Sequence, residues 1–179
     1  MRPAPSLPTP ALLDHCFALL AYEGAAREVV ARIKFRNRRA AVGWLADGMA
    51  SLLDGSLTAP LELVTWAPAT PHHARRRGFD HGELLARAVA RRLGVACSRV
   101  LVRASGPALT GRAAAERRSA GLALGAARRV SGACLVVDDV VTTGTTMTSA
   151  ADALRAAGAT AVVGLAAART PPPGSDRHR

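Results

Sequence analysis

The sequence predicts an α/β fold: a mainly parallel central sheet flanked by helices. Two observations point there. Short apolar runs alternate with amphipathic stretches of helical period along the chain. One such run, Cys134–Val137, is apolar at every position, as expected of a strand buried on both faces. At 179 residues the chain suits one domain with a sizeable core. With aromatics at only 3%, Ala, Val and Leu must build that core.

The elements follow in order. Residues 1–16 carry many prolines and read as a disordered lead. Phe17–Tyr22 reads as a strand closed by Gly24. Ala25–Lys34 is a helix with Val29, Val30 and Ile33 on one face, and Arg39–Leu53 is a second, with Trp44, Leu45 and Met49 apolar. Gly55 stops it, and Leu61–Trp66 is the next strand. A loop rich in Pro and Arg, Ala67–Arg77, precedes a helix over Gly82–Leu93 that Gly94 ends. Val100–Val102 is a short strand. Ser105–Arg129, with a helical patch at Ala113–Arg118, is long enough to be a flexible lid loop. Cys134–Val137 is the central strand, Thr145–Ala157 its helix and Ala161–Leu165 the last strand. The domain spans residues 17–170, and 171–179 form a disordered tail.

The chemistry concentrates after Val137. Asp138 and Asp139 stand at the carboxyl end of the central strand, followed by Val140, Val141, Thr142, Thr143, Gly144, Thr145 and Thr146. A loop of small and hydroxylated residues that opens a helix is an anion cradle. The first N–H groups of a helix lack intrahelical acceptors and carry partial positive charge. The acidic pair beside it suits sugar hydroxyls, which a plain phosphate loop does not need. No GxxxxGK[ST] is present, which excludes a P-loop, and no GxGxxG, which excludes a dinucleotide fingerprint. In open α/β sheets, ligands sit beyond the carboxyl ends of the strands, so the loops after Trp66 and Val137 should meet at one crevice.

The stretch Cys134-Leu-Val-Val-Asp-Asp-Val-Val-Thr-Thr-Gly-Thr-Thr146 resembles the signature of the type I phosphoribosyltransferases, which bind phosphoribosyl pyrophosphate (PRPP). The resemblance implies that Asp138 and Asp139 hold the ribose hydroxyls and that Val140–Thr146 bind the 5′-phosphate. It implies a pyrophosphate loop at Ala67, Pro68, Ala69 and Thr70. Mg²⁺ would accompany PRPP, reached from Asp138 and Asp139 through ribose or water. Pro68, followed nine residues later by Arg77-Gly-Phe-Asp-His81, is similar to a segment of the ComF subgroup, though Trp66 replaces a proline and Asp80-His81 replace Asn-Gln. Tyr22-Glu-Gly24 and Lys34-Phe-Arg36 also match that subgroup. Arg77 and, in the lid, Arg112, Arg117 and Arg118 are the cations that could meet pyrophosphate, as could His72 and His73. The subgroup's early lid Gln is missing here, Ser119 stands where it carries Asn, and its four-cysteine zinc ribbon is absent. The resemblance covers about residues 17–169.

Composition narrows the alternatives. Cys16, Cys97 and Cys134 share no metal or redox spacing, so no zinc is expected. No apolar run is long enough for a membrane span, and the expected location is cytoplasmic. Net charge is +11, and of the 24 basic residues only Lys34 is a lysine. Arginine suits bidentate capture of small phosphates and also a nucleic-acid backbone. Three readings therefore stay open: an active phosphoribosyltransferase, a competence or DNA-processing accessory that meets single-stranded DNA or a helicase, and a PRPP sensor without turnover.

Overall fold

Four strands build the main sheet of the computed structural model, which describes residues 1–6, 8–32, 39–57, 59–69, 80–103 and 123–172. The elements are β1 (His15–Ala21), α1 (Gly24–Arg32), α2 (Arg39–Ser51), β2 (Leu61–Trp66), α3 (His81–Leu93), β3 (Leu101–Arg103), β4 (Leu124–Ala126), β5 (Ala133–Val141), α4 (Thr145–Ala156) and β6 (Ala161–Arg169). The order across the main sheet is β1-β6-β5-β2, with every pairing parallel. The α/β architecture expected from the alternation is therefore present.

Alternation along β5 explains why it is central. Leu135 and Val137 enter one core cluster, with residues of α1, α2 and α3, while Cys134 and Val136 enter the other, with α4, β3 and β4. All four are fully buried. A parallel strand covered on both faces needs apolar side chains on both, which is why the run reads without polar gaps.

Several elements differ from the sequence reading. β5 continues past Val137 to Val141, because its ladder to β6 persists through Asp138↔Ala166, Val140↔Ala168 and Val141↔Arg169. β6 likewise reaches Arg169, well past Leu165. β3 pairs antiparallel with β4, a strand within the expected lid region. On α2, Leu45 and Met49 are buried but Trp44 is exposed. The expected disordered lead instead runs along β1: Ala4 N–H donates to Leu19 O, Ala21 N–H donates to Arg2 O, and Pro3 bridges Leu20 antiparallel. Proline lacks a donor, so it is tolerated at a sheet margin such as this one. Ile33, Lys34, Arg36, the patch 113–118, the rest of the lid through residue 122 and the tail 173–179 lie outside the described residues.

Candidate phosphate and ribose site

The register of β2 on β5 sets the site. Trp66 lies opposite Val137, so Ala67 leaves β2 beside Asp138, which stays in the β5–β6 ladder opposite Ala166. The segments that follow β2 and β5 both start from the carboxyl ends of neighbouring parallel strands. Thr70, His72, His73, Arg77, Arg112, Arg117 and Arg118 lie outside the described residues.

Asp138 and Asp139 interact directly. Asp139 N–H donates to Asp138 Oδ1 at 2.8 Å. Burial pushes the Asp138 carboxyl well above the usual carboxylate range, and the neighbouring Asp139 charge adds to the rise. The Asp139 amide opposes it, a hydrogen bond between the two carboxyls supports it, and the more distant Asp80 adds a further push. A carboxyl pair at a strand end offers acceptor oxygens to hydroxyl partners.

The loop behind them is built as a cradle. Thr142 and Thr143 are exposed, and Thr143 Oγ1 lies 2.7 Å from Thr145 Oγ1. Gly144 takes a left-handed φ of 80° to turn the chain into α4, and Thr148 N–H donates to Gly144 O at 2.9 Å. The N-cap residue, Gly144, has no side chain to cap the helix, and Thr143 Oγ1 accepts from the first helical amide, Thr145 N–H, at 3.4 Å. The N-terminus of α4 faces a cleft of about 30 Å³ lined by Asp138 and Val140–Met147. Val141 is buried in one core cluster and Val140 packs half-buried against the other, which leaves only their main chains for a ligand.

Two features were not legible as site chemistry. Ala69 N–H, one of the amides assigned to pyrophosphate, donates to Asp80 Oδ2 at 3.0 Å. The other Asp80 oxygen accepts from Gly82 N–H at 3.0 Å and caps α3. Asp at the start of a helix is a common cap, but no spacing rule announces the bond to Ala69. Arg169 at the end of β6 is 7% exposed, and a lone cation at a strand end carries no sequence signal.

An acidic pair at a strand end, a hydroxylated loop and a glycine-led helix start lie together on one strand-loop-helix unit. Residues 80–178 match the model of the phosphoribosyl transferase domain, and the chain belongs to that family. A comparison with curated proteins finds no match. Among solved structures, the chain is similar to the allosteric regulatory enzyme of purine biosynthesis, with 23% identity and a TM-score of 0.44, over 68% of this chain and 25% of that one. It is also similar to Trypanosoma cruzi hypoxanthine phosphoribosyl transferase, with 17% identity and a TM-score of 0.36, over 84% and 72% of the two chains. The chain thus spans about a quarter of the first structure's length.

The described cysteines are free thiols, each pushed up by burial: Cys134 is buried, Cys16 and Cys97 half-buried. Among the described residues no group of three or more His, Cys, Asp or Glu gathers to hold a metal. No helix among them is long and apolar enough to cross a membrane.

Proposed function

We propose that the protein is a PRPP-binding phosphoribosyltransferase of the ComF type that transfers the phosphoribosyl group to a nitrogen acceptor and releases pyrophosphate. The observation that carries the reading is the junction of the Asp138–Asp139 pair with the Thr142–Thr146 loop on one strand end, inside the stretch that matches the family. In this reading Asp138 and Asp139 hold the ribose 2′- and 3′-hydroxyls, and the loop amides with the α4 terminus hold the 5′-phosphate. Ala67–Thr70, with Arg77 and Arg117, receive the pyrophosphate.

Holding both ends of the substrate leaves C1 between them, exposed to an incoming nitrogen. Positioning and fixed charge do most of the work as the ribose becomes oxocarbenium-like. The oxygen donors of Asp138 and Asp139 fit Mg²⁺, a hard cation. The pair would reach the ion through ribose or water oxygens, and the ion would neutralise charge on the pyrophosphate. The free thiols suit a reducing compartment, and we place the protein in the cytoplasm.

The test is to mix the protein with PRPP, Mg²⁺ and a panel of bases and amines and to follow pyrophosphate. Release with at least one acceptor, lost in Asp139→Asn, is expected. Tight PRPP binding with no release for any acceptor would count against turnover and favour a sensor. The charge of +11 motivates a second reading, a DNA-processing accessory. It requires salt-sensitive binding of single-stranded DNA that Asp138→Ala leaves intact, and a flat gel-shift titration at low salt removes it.

A further inference from the structure

Arg169 is the last residue of β6 and lies in register with Val141, the last residue of β5, from which the Thr142–Thr146 loop departs. Its side chain is buried, yet no carboxylate pairs with it among the described residues. Nη2 donates to the Pro8 carbonyl at 2.7 Å, and Nε is buried with no acceptor. A guanidinium taken out of water with a neutral carbonyl on one nitrogen and no acceptor on Nε is poorly compensated among the described residues. Its two-pronged edge matches an anion with paired oxygens, such as phosphate.

The segment that covers Arg169 also covers the phosphate loop. A Cβ placed on Gly144 would lie 2.7 Å from the Pro10 ring, so Pro10 rests directly on the turn into α4. Pro8 and Pro10 are two residues apart, so their Cα atoms are at most about 7 Å from each other. Pro8, which holds the Arg169 guanidinium, and Pro10, which covers the loop, thus belong to one strap. The strap is tied on its far side: Arg155 Nε donates to Leu12 O at 2.9 Å, Arg155 pairs with Asp14, and Asp14 N–H donates to Val162 O. Between that anchor and the bridge at Pro3, residues 8–10 make a cover that can lift without unfolding the sheet.

We infer that Arg169 is a phosphate ligand of this site, and that residues 8–10 form a strap that holds its guanidinium ready and shifts when the phosphate of a phosphorylated sugar enters. The inference rests on the reading of the Thr142–Thr146 loop as a 5′-phosphate cradle. In this arrangement the loop amides bind one face of the phosphate, and Nε with an Nη hydrogen binds another.

Calorimetry with ribose 5-phosphate and with inorganic pyrophosphate tests it on wild type, Arg169→Gln and Arg169→Lys. Arg169→Gln should weaken ribose 5-phosphate by about tenfold or more, and Arg169→Lys by a few-fold, since lysine keeps the charge but not the fork. Pyrophosphate should change by less than about twofold, because its site lies across the ribose; a purely structural role would move both ligands or neither. Arg169→Lys serves if Arg169→Gln does not fold. In wild type, ribose 5-phosphate should speed amide exchange at Leu13, whose N–H donates to Pro10 O. Unchanged ribose 5-phosphate affinity in a folded Arg169 variant, or unchanged Leu13 exchange, overturns the inference alone. Failure of wild type to bind ribose 5-phosphate removes the cradle reading and the inference together.

Discussion

Gly144→Ala adds a single methyl group at the turn that forms the cradle, and the structure sets its cost. The backbone there has φ of 80°, a left-handed conformation that costs an L-residue about 1–2 kcal/mol. The new Cβ would also lie 2.7 Å from Pro10 Cγ and 3.0 Å from Pro10 Cβ, against about 3.5–4.0 Å for a comfortable carbon contact. Loss of about 2 kcal/mol follows, and for a domain of this size that lowers Tm by about 4–8 °C. The tilted loop amides should weaken ribose 5-phosphate binding by about tenfold or more. Gly43→Ala is the matched control. Gly43 sits inside α2, has no positive φ, and its Cβ would meet nothing closer than Arg92 Nη2 at 3.5 Å. Here alanine should stabilise by about 0.5–1 kcal/mol and leave binding unchanged. Differential scanning calorimetry and a ligand titration read both. Tm shifts of the same sign in the two variants, or wild-type binding in Gly144→Ala, would refute the reasoning.

Three further outcomes follow from the same geometry. Asp138→Asn should raise Tm at neutral pH: the folded-state pKa is raised, so the folded protein loses stability as pH climbs from the unfolded value of 3.8 through the folded one. The gain should shrink as pH falls toward 4, and a pH-independent difference in the thermal melts would contradict it. Asp80→Asn keeps an oxygen for Gly82 N–H but offers no acceptor to Ala69 N–H, so pyrophosphate should bind about tenfold tighter, or ~1.4 kcal/mol. Tm should stay within about 2 °C, since Asn caps a helix as well as Asp does. Arg155→Ala removes the ties to Leu12 and Asp14, and hydrogen exchange should rise across residues 8–14 while β5 stays protected.

Some of this molecule was legible and some was not, for physical reasons. The central strand declared itself because burial on both faces demands an unbroken apolar run at Cys134–Val137. The acidic pair and the threonine loop stood out because two carboxylates at such a position serve no packing purpose. Strand ends were misplaced where hydrogen bonding outlasts hydrophobicity. Asp138 and Asp139 end the apolar run, yet the ladder continues to Val141. In β6, Ala166–Ala168 have weak strand preference, but β1 on one side and β5 on the other impose it. β4, Leu124-Gly-Ala126, was invisible for the same reason. The prolines of the first ten residues suggested disorder, whereas the β1 edge accepts them. The Asp80–Ala69 bond and the burial of Arg169 join residues far apart in sequence, and no local pattern encodes such pairs.

The central claim is that Asp138, Asp139 and Thr142–Thr146 form a PRPP-type site. Isothermal titration of PRPP with Mg²⁺ into wild type and Asp139→Asn tests it most directly. The account predicts saturable binding at one site per chain in wild type and a loss of about tenfold or more in the variant, as for a charged hydrogen-bond acceptor removed from a hydroxyl. Equal affinity in both proteins, or no heat of binding in wild type, would contradict it.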